Sequence, residues 1–263
     1  MKILMPKIEN KKMYHYPLLS SPDFGFIRAP GPGLGNLLFP ISRALQAAKI
    51  KEEIFVPPTM FNLKMGPLIR REKSLRFYKN EFKKRSFVEW MNFVRIKIYR
   101  NNVKFYSGER NLFHDIKKSR FLIQNWLVSN SVEKPINISG KIAVHIRRGD
   151  FNKANKPDLS FQIPTQWYLD TVDRLLSKSN MEVILFSDAK ISKEWLIFGP
   201  RIKLSQNLSA SSNMLSMSTA DILVASRSTF SLWSYFLSNQ NTYLPKGTDL
   251  SHIMSDMRNI EYV

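Results

Sequence analysis

Residues Lys141 to Asp150 read KIAVHIRRGD. The first six form an apolar run of strand length, and the next four are two arginines, a glycine and an aspartate. Such a stretch enters a sheet as a buried strand and leaves it as a charged loop. Side chains alternate along a strand, so His145 and Arg147 fall on one side. A guanidinium is planar, permanently charged and shaped for bidentate contact with phosphate. The stretch therefore brings an imidazole and a guanidinium to the rim of a sheet, where an anion is the natural ligand. The structural alternative is a local pair, such as Arg148 bridging Asp150.

Toward the C-terminus the same alternation repeats. PTQWYLDTVDRLLSKS has Leu169, Val172 and Leu176 at helical spacing, with Thr165 as the expected N-cap. MEVILFSD is a second apolar strand, NMLSMSTA a short helix, DILVAS a third strand, STFSLWSYFLSN a helix and NTYLP a last strand. Strands alternating with helices predict a mostly parallel sheet covered on both faces, with ligands beyond the carboxyl ends of its strands. The polar clusters fall there: His145–Asp150, Ser187–Asp188 and Ser226–Ser231. One rim is expected to carry the chemistry.

Toward the N-terminus, FGFIRAPGPGLGNLLFPISRALQAAKIKEEIFVPP reads as an extended run ending at Ala29, a Pro/Gly turn, a helix on Leu38, Ile41, Leu45 and Ala48, and a strand stopped by Pro57 and Pro58. Gly33 and Gly35 permit close backbone approach, and a helix starting near Asn36 offers amides to an anion. GPGLGN lacks the third glycine of a dinucleotide fingerprint, and no Gly-Lys-Ser/Thr follows as in a Walker loop. A plain strand-to-helix turn explains it as well. Two units are expected: residues 1–130, with a basic helical segment, and residues 131–263.

Composition narrows the class. The 263 residues include no cysteine, which removes disulfides, thiolate catalysis and zinc–thiolate sites. The first residues lack a signal-peptide core, and no run is long enough for a membrane span, so a cytoplasmic protein is expected, with the sequons at Asn137 and Asn207 as chance matches. The 40 Lys+Arg against 21 Asp+Glu give a formal charge of +19 and call for a polyanionic partner. From Lys64 to Lys104 there are 13 basic and 3 acidic residues, about half of the surplus, interleaved with aromatics. A pair of amphipathic helices with a solvated basic face explains this segment most simply, and a face toward anionic membrane is the next reading. Nucleic-acid binding ranks third, because no recognised motif accompanies the charge.

At the rim, Asp188 is placed to accept from a guanine edge or a ribose hydroxyl, or else to cap a helix. Ser226, Ser228, Thr229 and Ser231 offer hydroxyls and amides to phosphate oxygens, and helix capping would use one or two of them. The four histidines are scattered and no Asp-x-Asp pair occurs. A diphosphate leaving group would then depend on arginine and helix amides, with no metal ion.

Three segments share one resemblance. HIRRGD resembles the H-x-R-R-x-D motif of the α-1,2-fucosyltransferases, glycosyltransferase family 11; related motifs occur in α-1,6- and protein O-fucosyltransferases. GLGNLLF resembles that family's G-G-L-G-N-Q-x-F, and ADILVASRSTFSLWSYFL its closing S-S-F-S-W-W-G-x-x-L. The order along the chain also agrees, from about Phe24 to Pro245. Leu37 stands where the family has Gln, Pro32 where it has Gly, and Leu232 where it has the first Trp.

The resemblance implies an α/β, GT-B-like fold of two Rossmann-like lobes with a cleft between them. It implies inverting, metal-independent transfer of fucose from GDP-β-L-fucose to a glycan, α-1,2 to galactose, on a free or lipid-linked acceptor. By the same resemblance Arg147 holds the β-phosphate, with Arg148 beside it. His145 lies near the guanosine, Asp188 reads the guanine, and Ser228, Thr229 and Ser231 bind phosphate. Gly35 and Asn36 sit in the cleft. Asp150 and Asp158 are the candidates for the base. The rival readings are another GDP-sugar as donor, a module that binds the donor without catalysis, and a basic nucleic-acid-binding protein.

Overall fold

The computed structural model describes residues 12–62, 78, 80–98, 102–148, 162–206, 208–250, 252–254 and 258–263. Two parallel sheets organise them. The smaller has the order β2-β1-β3, with β1 (Tyr14–Pro17), β2 (Ile54–Phe55) and β3 (Val103–Tyr106). The helix that connects its first two strands, α1 (Leu34–Lys51), covers the apolar series predicted for it. It ends where Glu52 turns left-handed at φ 54° and its amide closes onto the carbonyls of Ala48 and Lys49.

The opening strand is not the run ending at Ala29 but Tyr14–Pro17, upstream of it. Residues 23–28 form two isolated bridges, Asp23 with Arg28 and Arg28 with Asn62, and Gly25 has φ +86°. The buried Arg28 guanidinium donates to Thr59 O and to Ser20 Oγ. Side-chain hydrogen bonds therefore hold this segment as a loop in place of a ladder. In the basic segment, helix α2 (Phe87–Ile98) is followed by strand β3, so the expected helix pair fails at its C-terminal end. The rest of that segment falls largely outside the described residues.

The larger sheet has the order β6-β5-β4-β7-β8-β9, parallel throughout. Its strands are β4 (Lys141–Ile146), β5 (Glu182–Ser187), β6 (Ile202–Leu204), β7 (Ile222–Val224), β8 (Asn241–Leu244) and β9 (Ile260–Tyr262). Four were predicted. The edge strands β6 and β9, three residues each and mostly exposed, carry no apolar run that would reveal them. The helices are α3 (Arg120–Asn130), α4 (Thr165–Leu176), α5 (Ala210–Met217) and α6 (Thr229–Ser238). Thr165 is not the cap of α4. Pro164 holds that place with ψ 143°, and the Thr165 hydroxyl accepts from Arg148 Nη2 instead.

One face of the larger sheet packs Ile142, Val144 and Ile146 against Tyr168, Leu169 and Val172 of α4. The opposite face joins a core shared with α1, in which Phe39, Phe113, Trp233 and Phe236 meet at ring distances of 4.8–5.4 Å. A third core closes Tyr16 and Val56 of the small sheet under Phe93 and Ile96 of α2. The α/β, two-lobed GT-B-like class expected from the sequence is thus the one observed. Among the described residues no helix is long and apolar enough to cross a membrane.

Candidate active site

In the larger sheet the chain steps outward through β4, β5 and β6, then returns to the middle and continues through β7, β8 and β9. This is the strand order of a Rossmann fold, and its ligand crevice opens beyond the carboxyl ends of the two central strands, where the order reverses. Those strands are β4 and β7. The end of β4 and its loop bring His145–Arg148 to one side of the crevice, and the loop after β7 brings Ser226–Ser231 to the other.

The register fixes the neighbours. Ile146 lies beside Ser187, so Arg147 and Asp188 are next in line, and Arg147 Nη1 pairs with Asp188 Oδ2 at 3.0 Å. The amide of Arg148 donates to the other carboxylate oxygen at 2.7 Å. The Arg148 guanidinium turns away, donating to Ile163 O (2.9 Å) and to Thr165 Oγ1 (2.7 Å), where it braces the entry to α4. The two arginines therefore have separate tasks: Arg147 is at the rim and Arg148 is built into the wall. Gly149, Asp150 and Asp158 lie outside the described residues.

His145 is buried. Its Nδ1 contacts Ser231 Oγ (2.5 Å) and Ser226 Oγ (2.9 Å). The Ser226 hydroxyl also meets those of Ser228 and Ser231, each at 2.8 Å. Burial, with the Arg147 charge adding to it, lowers the His145 pKa to about 3, so the imidazole is neutral at physiological pH. It ties the end of β4 to the first turn of α6. Ser228 is the N-cap of that helix, its Oγ accepting from the amide of Ser231. The first amides of an α-helix have no partner within the helix and carry a positive partial charge.

The N-terminus of α1 meets the same place. Asn36 Oδ1 accepts from Thr229 Oγ1 at 2.6 Å, across 193 positions of sequence. Trp233 Nε1 donates to Gly35 O at 2.6 Å. A Cβ on Gly35 would lie 2.8 Å from Thr229 Oγ1 and 3.0 Å from the Phe230 nitrogen. Glycine is needed here because two helix ends touch. Gly35→Ala is expected to lower stability by about 1–3 kcal/mol, since backbone atoms must move apart. Urea denaturation against the wild type measures it, and an unchanged midpoint contradicts the contact. The departures Leu37 and Leu232 are both buried core positions.

One residue of the site has no sequence signature. The loop after β3 is clamped to α1 by Arg43, whose guanidinium donates to the carbonyls of Ser107 (2.8 Å), Gly108 (2.6 Å) and Arg110. Arg43 lies two helical turns beyond Asn36, on the same face. The clamp brings the Glu109 carboxylate near the Asn36 side chain. Desolvation raises the Glu109 pKa, and the neighbouring Asn36 amide opposes the rise. Asn36 thus stands between a carboxylate of the loop after β3 and the first turn of α6. Nothing in the local sequence YSGERN marks this; the only available signal was its place beyond the carboxyl end of a parallel strand.

Comparison with known proteins agrees with the motif reading. The family model described as glycosyl transferase family 11 matches residues 49–255, a span that begins after GLGNLLF and includes HIRRGD and the closing motif. Comparison with curated proteins finds no match. Among solved structures, the α-1,6-fucosyltransferase NodZ, soaked with GDP-fucose, is similar at 12% identity and a TM-score of 0.46, over 86% of this chain and 93% of that one; a NodZ structure is from Bradyrhizobium. POFUT1 in complex with GDP-fucose is similar at 12% identity and 0.37, over 59% and 57%. Escherichia coli heptosyltransferase WaaC with ADP is similar at 13% identity and 0.40, over 93% and 67%.

Proposed function

The chain belongs to glycosyltransferase family 11, and from that premise we propose that it transfers L-fucose from GDP-β-L-fucose to a glycan hydroxyl, with inversion and without a metal ion. The acceptor is a galactose, joined in α-1,2 linkage, on a free or lipid-carried glycan. The observation that carries the donor assignment is the convergence of Arg147, the hydroxyl-lined first turn of α6 and Asn36 at the point where the strand order reverses.

In this reaction the bond from the fucose anomeric carbon to the β-phosphate oxygen breaks, and its electron pair leaves with GDP. The acceptor oxygen attacks from the opposite face and gives its proton to a base. Arg147, the first amides of α6 and the Ser228 hydroxyl take the charge that develops on the diphosphate; the Thr229 hydroxyl already donates to Asn36, and the Ser231 hydroxyl is buried against His145 and Ser226. Removing one such donor from a preorganised site costs about 3–4 kcal/mol of transition-state stabilisation. Asp188 orients Arg147, and its oxygens retain lone pairs for the donors of a guanine edge. His145 and Arg148 hold the frame beneath the guanosine. Gly35 lets Asn36 reach the donor.

For the base, Glu109 joins Asp150 as a candidate and is the better supported. Its carboxylate lies near Asn36, beside the first turn of α6, and desolvation raises its pKa.

The test is calorimetric titration with GDP-fucose, GDP-mannose and UDP-galactose in EDTA. Tightest binding of GDP-fucose is expected. Preference for GDP-mannose would replace the donor, and a requirement for Mg²⁺ would remove the metal-free reading. No binding of any of the three, with salt-sensitive affinity for DNA or RNA, would favour a nucleic-acid partner.

A further inference from the structure

Helix α2 is apolar on two sides. Phe93 and Ile96 face inward, 5% and 1% exposed, in the core with Tyr16 and Val56. A second stripe, Phe87, Trp90, Met91, Val94 and Ile98, follows the helical period on the side away from that core. Phe87 is 77% exposed, Trp90 49% and Ile98 67%, and the Phe87 and Trp90 rings stack at 6.4 Å. Alongside runs the loop of Phe24 and Phe26, 56% and 73% exposed.

Loop and helix are braced as one surface. Gly25 lies so close to Phe93 that a Cβ there would overlap the ring. Arg85 donates to Gly25 O and Pro57 O while its guanidinium lies 4.8 Å over the Phe93 ring. Exposed aromatic rings on a helix and on the loop packed against that helix mark an interaction site.

The charge around them selects the partner. Lys83, Lys84 and Arg95 are exposed on the same helix and the segment leading into it. The nearby acid, Glu89, is occupied at the helix start, its carboxylate accepting from the Ser86 amide at 2.6 Å while the Ser86 hydroxyl caps Glu89 N. Rings projecting from a helix and a neighbouring loop, rimmed by cations, match the boundary between lipid headgroups and acyl chains, where aromatic residues concentrate and anionic phosphates lie. We propose that α2 and the Phe24–Phe26 loop dock the protein on an anionic lipid bilayer, with Phe24, Phe26, Phe87 and Trp90 entering the headgroup layer and Lys83, Lys84 and Arg95 on its phosphates. The proposal does not depend on which sugar nucleotide is bound.

Sedimentation of the full chain with phosphatidylglycerol/phosphatidylcholine vesicles, and with phosphatidylcholine vesicles alone, tests it. The wild type is expected to partition at least tenfold more strongly to the anionic vesicles. The triple variant Phe26→Ser, Phe87→Ser, Trp90→Ser and the triple variant Lys83→Gln, Lys84→Gln, Arg95→Gln should each lose roughly tenfold or more, with thermal midpoints near that of the wild type. A wild type that ignores both vesicles, or folded variants that bind as it does, overturns the proposal. So does a wild-type dimer that the aromatic variant makes monomeric, because the patch would then be covered by a second copy.

Discussion

Arg147→Ala is expected to weaken GDP-fucose binding by roughly 100-fold or more, from the ~2–5 kcal/mol that truncating one member of a desolvated charge pair costs. The side chain combines the charge, the planar fork and the fixed position that a diphosphate requires, and the register of β4 with β5 holds it against Asp188. The loss should appear by calorimetry as reduced affinity for GDP as well as for GDP-fucose, since the proposed contact is with phosphate and not with sugar. Arg147→Lys keeps the charge but loses the fork, and should fall between the two. Arg148→Ala provides the contrast. Its guanidinium is committed to Ile163 O and Thr165, so its removal should lower stability more than affinity. Unchanged affinity in Arg147→Ala would remove the phosphate assignment.

Glu109→Gln is expected to lower kcat by about 10²–10⁴-fold, the contribution of a positioned general base, while leaving donor affinity near that of the wild type. The amide preserves size but cannot take a proton. The pH dependence gives a second signature. A base works in its deprotonated form, and burial raises the pKa of this one. Activity should therefore rise with pH through an acid limb displaced upward, and the variant should lose that limb. Normal turnover in Glu109→Gln would return the role to Asp150, with the donor reading intact. Loss of donor binding along with turnover would instead show Glu109 to be part of the donor site.

The centre of the larger sheet was legible because buried parallel strands carry continuous apolar runs, as Ile142–Val144 and Val183–Phe186 do. The rim was legible because a polar residue following such a run sits at the carboxyl end, as Arg147, Asp188 and the Ser226–Ser231 cluster do. Short strands were not. Tyr14–Pro17 is too brief to show alternation, and β6 and β9 are edge strands with exposed residues. Gly35 was read as a place where backbone approaches a ligand closely; the neighbour it meets in the fold is Thr229 of α6, which no local pattern could name. Glu109 was invisible for a related reason. Its position depends on Arg43 gripping three carbonyls some 65 residues away, a contact made in tertiary structure alone.

The meeting of the α1 and α6 helix ends also bears on rigidity. Its two hydrogen bonds and glycine contact lie over a core in which Phe39, Phe113, Trp233 and Phe236 pack together, so α1 and α6 are joined through a broad apolar contact. Parting them would expose those rings to water, which keeps Asn36 and Thr229 at a fixed spacing and leaves adjustment to substrates to the loops at the rim.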